Sequence, residues 1–210
     1  MGRYTGPSCR LCRRQGIKLM LKGTRCETAK CPMERQWRNF PPGQQNWRRG
    51  RTSEYGVRLR EKQKVKRYYG VYEKQFRRYF RLAERQKGNT GAALLGLLER
   101  RLDNVIHKLG FALSRARARQ VIGHGHVHAN GRKVDVPSYL VRVGDKISIK
   151  DSERSMKLVR ASLEELGEPQ LQNWLKLDVS KLEAEVIALP TCDDVMIPVE
   201  EQMIVELCSQ

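Results

Sequence analysis

The chain has 210 residues with a formal net charge of +18, and 40% of its residues are hydrophobic. The hydrophobic fraction suffices for a core, which excludes full disorder, and so high a charge is unusual for a metabolic enzyme. It indicates a polyanionic partner, either nucleic acid or an anionic membrane surface. The net charge is +8 over 1–40, +11 over 41–90, +7 over 91–150 and −8 over 151–210, so the acidic last quarter is expected to face away from that partner.

The first 45 residues predict a small metal-binding extension. Cys9, Cys12, Cys26 and Cys31 have the spacing C-x2-C-x13-C-x4-C, which can complete a tetrahedron of thiolates around zinc. Neighbouring Lys and Arg residues lower thiol pKa values and offset the charge of a zinc tetrathiolate. Free thiols, or an iron–sulfur cluster on the same cysteines, remain as alternatives. Because so short a unit has little core, metal binding would supply most of its folding free energy, on the order of 10 kcal/mol.

Three helices are predicted between this extension and residue 110. Thr52 or Ser53 can cap a helix over 54–69, and a second helix runs from about 72 to 86. Apolar residues at helical spacing predict a third helix over 94–109. The aromatic residues that end the first helix and line the second repeat at helical spacing, which predicts core positions and not base-stacking platforms: Tyr68, Tyr69, Tyr72, Phe76, Tyr79 and Phe80.

Beyond residue 110 a short helix is predicted before the periodicity changes to that of strands. Ser114 can cap this helix, and Gly123 ends it. Asn130-Gly131 then predicts a β-hairpin, because both turn positions need positive φ. The remaining elements predicted are strands over 139–143, 146–150, 174–177 and 185–189, a helix over 153–166, and a helix or strand over 199–207.

Side chains that can contact RNA phosphates fall into three groups along the chain. The extension carries Arg3, Arg10, Arg13, Arg14, Lys18 and Lys22. The first long helix and its approach carry Arg48, Arg49, Arg51, Arg58, Lys62, Lys66 and Arg67. The short helix and the hairpin carry Arg115, Arg117, Arg119, His124, His126, Asn130 and Arg132. The planar guanidinium group of arginine can donate two hydrogen bonds to one phosphate, which lysine cannot do. For the histidines, RNA contact or a role in the loop is favoured over a metal site, because no Cys or acidic residue is near.

Several stretches closely resemble one known family. Residues 101–112, 114–120 and 123–134 resemble the RNA-binding module of the S-four (S4) family of small-subunit ribosomal proteins. The likeness covers the whole chain in order. It includes the four cysteines, Met1–Tyr4, Gly6-Pro7, Pro41–Gln44, Ser53–Gly56, Leu59–Lys64, Glu201-Gln202 and Ile204–Glu206.

This resemblance implies an α+β fold, in which a mixed α/β RNA-binding module is inserted into a mainly helical domain. We therefore predict a zinc-binding extension over 1–45, a helical domain over 46–98 and 190–210, and the S4-type module over 99–189. The family binds small-subunit ribosomal RNA at a multi-helix junction of the five-prime domain and nucleates assembly of the subunit. It lies beside other small-subunit proteins and near the path by which mRNA enters, where it supports translation and its accuracy.

Two other functions fit some of the residues. An RNA-modifying enzyme or tRNA synthetase could carry such a module, and Arg101-Leu102-Asp103 faintly resembles a pseudouridine synthase motif. Asp103 is however expected to lie in a helix between core leucines, and no catalytic domain is recognisable, so we predict no enzymatic activity. A DNA-binding transcription factor would need Cys/His finger spacing or a dimerising heptad, and neither is present. With no apolar stretch long enough to span a bilayer, we predict a cytoplasmic protein of the ribosome with no membrane partner.

Overall fold

A computed structural model describes residues 2, 4–44, 52–167 and 171–209. In this part of the chain the helices are α1 Ser8–Gln15, α2 Glu54–Tyr68, α3 Glu73–Glu84, α4 Thr90–Glu99, α5 Leu102–Lys108, α6 Arg115–Gly123, α7 Glu153–Leu166 and α8 Glu201–Ser209. The strands are β1 Val127–Ala129, β2 Arg132–Lys133, β3 Lys146–Ile149, β4 Leu175–Asp178 and β5 Glu183–Val186. Short 3-10 helices lie at Gly23–Cys26 and Cys192–Asp194. The fold is α+β, as predicted.

The chain forms two compact units, and the second is inserted into the first. Unit 1 comprises Met1–Leu94 and Met196–Gln210, and unit 2 comprises Leu95–Val195. Within unit 1 the C-terminal α8 packs on α2, where the Arg58 Nε donates to Glu206 Oε2 at 2.8 Å. The finer division predicted from the sequence, with a separate zinc-binding extension, stays a prediction.

Local signals account for the helices of unit 1. Ser53 caps α2 by accepting a hydrogen bond from the Gly56 N–H at 3.2 Å. The stripe of Phe76, Tyr79 and Phe80 on α3 is buried, which confirms the predicted core role of these rings and of the tyrosines that end α2. Tyr72 is the exception, since it precedes α3 and is 50% exposed.

The predicted helix over 94–109 is wrong, because the chain breaks it into α4 and α5. Arg101 has extended backbone angles, φ −67° and ψ 135°, and pairs with Leu140 as an isolated β-bridge. The Leu102 N–H donates to the Tyr139 carbonyl at 2.8 Å, so backbone hydrogen bonds to a distant segment replace the helical ones. Apolar spacing continues across the break because both helices bury leucines, which is why periodicity alone could not reveal it.

Unit 2 is built on an antiparallel five-stranded sheet in the order β2-β1-β3-β5-β4. The predicted hairpin between β1 and β2 is confirmed, with φ of 51° at Asn130 and 75° at Gly131. The predicted strand over 139–143 is wrong, since β3 pairs with β1 and β5 and Leu140 only bridges to Arg101. The open choice over 199–207 is resolved as helix α8.

One buried apolar core holds unit 2 together. Residues of α5 and α6, among them Ile106 and Ile122, contact strand residues such as Ile147, and Val159 of α7 and Trp174 complete the cluster. In the described ranges, no helix is both long and apolar enough to cross a membrane. The core therefore fixes α6, the hairpin and the start of α7 relative to one another within this unit.

Candidate nucleic-acid interface

Six cationic or titratable side chains gather where α6, β1 and α7 meet. We call them the basic cluster: Arg117, His124, His126, Lys133, Lys150 and Arg154. In the described part of unit 2, none of them forms an ion pair with a carboxylate, and all except the half-buried His126 are exposed. Several like charges without acidic partners create a positive potential, which favours an anionic ligand.

The charges of this cluster act on His126. Partial burial lowers the pKa of His126, and electrostatic interaction with four neighbouring basic groups lowers it further. These neighbours are His124, Arg154, Lys150 and Arg117. The cluster thus repels a further proton on His126, and an anion bound there would relieve this repulsion.

Hydrogen bonds of the backbone and of the His126 side chain hold the basic cluster in place. The Lys150 N–H donates to the His126 carbonyl at 2.8 Å, which ties the end of β3 to the start of β1. The ring Nδ1 of His126 lies 2.8 Å from Ser155 Oγ, and Ser152 caps α7 beside it. A side chain at Gly125, where φ is 74°, would collide with the Lys133 side chain. Glycine therefore allows both the turn after α6 and the close passage of this lysine.

The arginines of α6 divide between two faces. Arg115 and Arg119, four residues apart, share a face that lies against α5: Arg115 Nε donates to Asn104 Oδ1 at 2.8 Å, and Arg119 Nε to Asp103 Oδ2 at 2.7 Å. Arg115 is only 7% exposed. Arg117 lies on the exposed side and is held by Gln120 at 2.8 Å. The predicted phosphate contacts of all three stay predictions, and Arg117 is the one whose position suits them best.

A buried polar network lies beneath α6. Arg101, which is fully buried, donates from Nε to Asp103 Oδ1 at 3.0 Å and from Nη2 to Asp103 Oδ2 at 2.7 Å. Beside it, Lys108 Nζ lies 2.5 Å from Glu99 Oε2, and Asn104 donates to the same carboxylate at 2.6 Å. Both oxygens of Asp103 are therefore occupied by arginines in a site closed to solvent. This carboxylate cannot reach a substrate, which argues against the synthase-like motif as a catalytic centre.

Burial of His107 predicts that the stability of unit 2 depends on pH. Burial is the main cause that lowers its pKa, to about 4, and the nearby Arg115 adds to it, while the ring Nδ1 lies 3.1 Å from the Ala112 carbonyl. The unfolded chain takes up a proton near pH 6.5, but folded His107 does so only near pH 4. Stability contributed by neutral His107 is thus complete above pH 6.5 and is lost as the pH falls toward 4, by up to about 3 kcal/mol.

The measurement is urea unfolding at pH 7 and at pH 5. We expect His107→Asn, which keeps a donor near the Nδ1 position, to lose less stability between these pH values than the wild type. An equal loss in both proteins would assign the pH dependence to other groups.

Several basic residues predicted on α2 are used inside unit 1. Lys62 is 7% exposed and its Nζ lies 2.6 Å from Glu73 Oε1, while Lys66 binds the other oxygen at 2.5 Å. The phosphate contacts predicted for both stay predictions, and these positions suit them poorly. Burial raises the pKa of Glu73, but hydrogen bonds from Lys62, Lys66 and Arg77 outweigh it and bring the pKa down to about 2. One carboxylate thus engages two of the six cations of α2, Lys62 and Lys66, within unit 1.

The remaining predicted residues differ in exposure. Arg10, Arg14 and Lys22 are exposed, Lys18 is exposed but paired with Glu34, and Arg13 donates from Nε to the Phe40 carbonyl at 2.9 Å. Arg67 is half-buried, and burial is the main cause that lowers its pKa. The charge of nearby Arg14 lowers the pKa of Arg67 further. Arg58 is engaged by Glu206, as described above. Arg3, Arg48, Arg49 and Arg51 lie outside the described residues.

In the hairpin, Asn130 is a turn-forming residue. Its side chain donates to Asp145 Oδ1 at 2.8 Å and accepts the Lys146 N–H at 2.9 Å. These bonds, together with its positive φ, account for asparagine at this position. Arg132, two residues on, is exposed on β2. The predicted RNA contact is therefore better suited to Arg132 than to Asn130.

The four N-terminal cysteines line one small pocket. Their thiols are free, and they lie round a cavity that Leu21, Lys22 and Met33 also border. Burial raises the pKa of Cys12 and Cys26, and the charges of the neighbouring thiolates raise both further. Four sulfur donors that oppose one another's ionisation suit a divalent cation, so the donor set fits zinc. In the described ranges, however, no three His, Cys, Asp or Glu side chains already stand in coordinating positions.

Sequence reasoning missed Lys133, Lys150 and Arg154 of the basic cluster. Lys150 directly follows β3 and Arg154 lies in the first turn of α7, so no helical or strand period relates them to α6. They join the cluster only because the sheet brings the end of β3 beside the start of β1. The one local signal available in the sequence was that Lys150 and Arg154 lie two residues before and two residues after Ser152, which caps α7.

Comparisons with known proteins assign both units. Residues 3–99 match the family described as Ribosomal protein S4/S9 N-terminal domain, and residues 100–147 match the S4 domain. The chain is 52% identical over 210 residues to small ribosomal subunit protein uS4 of Thermoanaerobacter sp. strain X514. It is 52% identical over 211 residues to the uS4 of Thermus thermophilus and 53% identical over 210 residues to that of Halothermothrix orenii. Each match covers 100% of both chains.

Proposed function

Because this chain belongs to the family of small ribosomal subunit protein uS4, we propose that it is a structural constituent of the small subunit that binds ribosomal RNA directly. The observation that carries this proposal is the basic cluster, whose side chains, exposed except for half-buried His126, form no ion pair with a carboxylate among the described residues of unit 2. Its location is the cytoplasmic ribosome, as predicted. We propose no enzymatic activity, since Asp103 is enclosed by arginines.

The mode of RNA recognition follows from the shape of RNA. The base edges of an A-form helix lie in a deep, narrow groove, so a protein reads folded RNA mainly through its backbone and shape. A rigid cluster of guanidinium, ammonium and imidazole groups suits phosphates that a tertiary fold brings together. We propose as the target a multi-helix junction in the five-prime domain of small-subunit RNA, where binding would nucleate assembly.

Two further partners belong to the same proposal. Neighbouring small-subunit proteins would contact surfaces away from the basic cluster, and the acidic last quarter, with its net charge of −8 over 151–210, supports contact with something other than RNA. The path by which mRNA enters the subunit would lie nearby. The proposed cofactor is zinc held by Cys9, Cys12, Cys26 and Cys31, which would supply folding free energy to the N-terminal extension.

Chemical footprinting of small-subunit RNA with and without the protein tests this function. We expect protection confined to one junction of the five-prime domain. A chain that protects no nucleotides at moderate ionic strength would overturn the proposal. Turnover of uridine in the same transcript would favour an RNA-modifying enzyme, and equal competition by duplex DNA would favour a DNA-binding protein.

Removing cations of the basic cluster should weaken RNA binding without unfolding the protein. We expect Lys150→Gln and Arg154→Gln each to reduce the slope of log K against log salt by about 0.7–0.9, the contribution of one phosphate contact. Both side chains are exposed, so the free energy of unfolding should change by less than about 0.5 kcal/mol. Filter binding at several KCl concentrations measures the slope.

Lys176→Gln is the matched control for these variants. Lys176 is exposed on β4, at the sheet edge opposite β2, and should leave the slope unchanged. Slopes equal to that of the wild type in both cluster variants would remove these residues from the interface.

A further inference from the structure

Trp37 is a large apolar side chain that the N-terminal part of unit 1 leaves in solvent. It is 62% exposed, whereas five of the six aromatic residues assigned to the core are at most 6% exposed. The backbone around it is nevertheless ordered by turns. The N–H groups of Arg38 and Asn39 both donate to the Arg35 carbonyl at 2.9 Å. The turn therefore orders the backbone that carries the indole.

Two arginines flank this indole. The Arg38 guanidinium carbon lies 4.5 Å from the centroid of the Trp37 ring, and that of Arg35 lies 5.9 Å away. Arg35 is anchored, because its Nε donates to the Ala29 carbonyl at 3.1 Å. In the described ranges no other exposed aromatic ring has two guanidinium groups within 6 Å. Both arginines keep further N–H donors that can reach a phosphate.

The arrangement suits an unpaired nucleotide better than a paired one. Trp37 is 62% exposed although both guanidinium groups lie within 6 Å of its ring centroid, so the indole keeps area for a further stacked group. Bases within a helix already have neighbours on both faces, whereas bases in loops, bulges and ends can stack on aromatic side chains. The flanking cations would bind the phosphates on either side of such a base.

We propose that Trp37, with Arg35 and Arg38, forms a stacking site for one unpaired RNA base. The proposal rests on the RNA-binding function given above and adds to it a contact with a base, which the phosphate contacts of the basic cluster do not provide. The charge of the segment supports RNA over a protein partner, since residues 1–40 carry a net charge of +8. An apolar partner surface would gain nothing from two guanidinium groups beside the ring.

The test measures the affinity of the full-length chain for a five-prime-domain transcript at several KCl concentrations. We expect Trp37→Ala to weaken binding by about 5- to 150-fold, the range for loss of one base–aromatic stack. Stacking releases no counterions, so the salt slope should stay that of the wild type, whereas Arg38→Gln should reduce it. Trp37→Phe, which keeps an aromatic face, should recover most of the affinity, and Trp37→Leu, which keeps only apolar bulk, should not.

Tyr55→Ala is the control, because Tyr55 is 59% exposed on α2 with no guanidinium group over its ring in the described structure. It should bind as the wild type does. Wild-type affinity in Trp37→Ala would overturn the stacking site while leaving the proposed function intact. Full recovery in Trp37→Leu would show an apolar contact and overturn it too. A wild-type chain that ignores the transcript would refute the RNA-binding function, and the stacking site with it.

Discussion

Replacing Asp103 with Ala should lower the free energy of unfolding of unit 2 by about 3–5 kcal/mol, the cost of breaking a buried ion pair from one side. Asp103 is 1% exposed and accepts hydrogen bonds from Arg101 and Arg119. Without it, the fully buried Arg101 loses the carboxylate that both its Nε and its Nη2 bind. Urea unfolding followed by circular dichroism, with amide hydrogen exchange in unit 2, measures the loss.

Glu54→Ala provides the comparison for an exposed ion pair. The Glu54 side chain is 88% exposed and lies 3.5 Å from Arg58, so its loss should cost at most about 1 kcal/mol. The double variant Arg101→Met with Asp103→Leu should recover part of the stability, because an apolar pair can replace a buried ion pair at little cost. If Asp103→Ala unfolds at the same urea concentration as the wild type, the network does not stabilise unit 2.

Zinc removal should unfold the N-terminal extension. We expect one zinc per purified chain, and we expect chelation to raise amide exchange throughout residues 4–44, because the ion would contribute on the order of 10 kcal/mol to a segment with little core. Of the residues described there, only Leu19 and the pocket cysteines Cys12, Cys26 and Cys31 are buried apolar side chains. Zinc affinity should fall as the pH drops, since thiols must lose protons to bind the ion.

Variants of single cysteines separate this effect from general loss of thiols. Cys26→Ala should abolish stoichiometric zinc, whereas Cys208→Ala, which removes a thiol of α8, should retain it. Elemental analysis reads out both. A chain that purifies without metal and yet protects residues 4–44 from exchange would contradict the zinc site, and visible absorbance with bound iron would indicate the iron–sulfur alternative.

Helix α6 links the buried network to the proposed RNA interface. Its inward face holds Arg115 and Arg119 against α5, while Arg117 lies on the exposed side with the basic cluster. Positive charges that bind RNA lie close together in the free protein, and their mutual repulsion destabilises the folded state. The buried ion pairs and the core of unit 2 hold the helix against that repulsion, so stability and binding depend on the same element.

Local signals determined most elements. The Ser53 and Ser114 caps, the positive-φ hairpin at Asn130-Gly131 and the buried aromatic stripe of α3 need only residues near in sequence, so they could be predicted. The charge of +18, the cysteine spacing and the family resemblance likewise determined the kind of partner and the predicted cofactor.

Only the tertiary structure decided which cations remain available to RNA. Lys62 and Arg115 look like surface charges in the sequence, but Glu73 and Asn104 engage them because distant elements pack together. The break at Arg101 has the same origin, since hydrogen bonds between residues 100–103 and residues 137–141 replace those of a helix that the apolar spacing alone would continue. Ion pairs and backbone bonds between remote segments leave no periodic trace, because their partners are chosen by the fold and not by the local pattern.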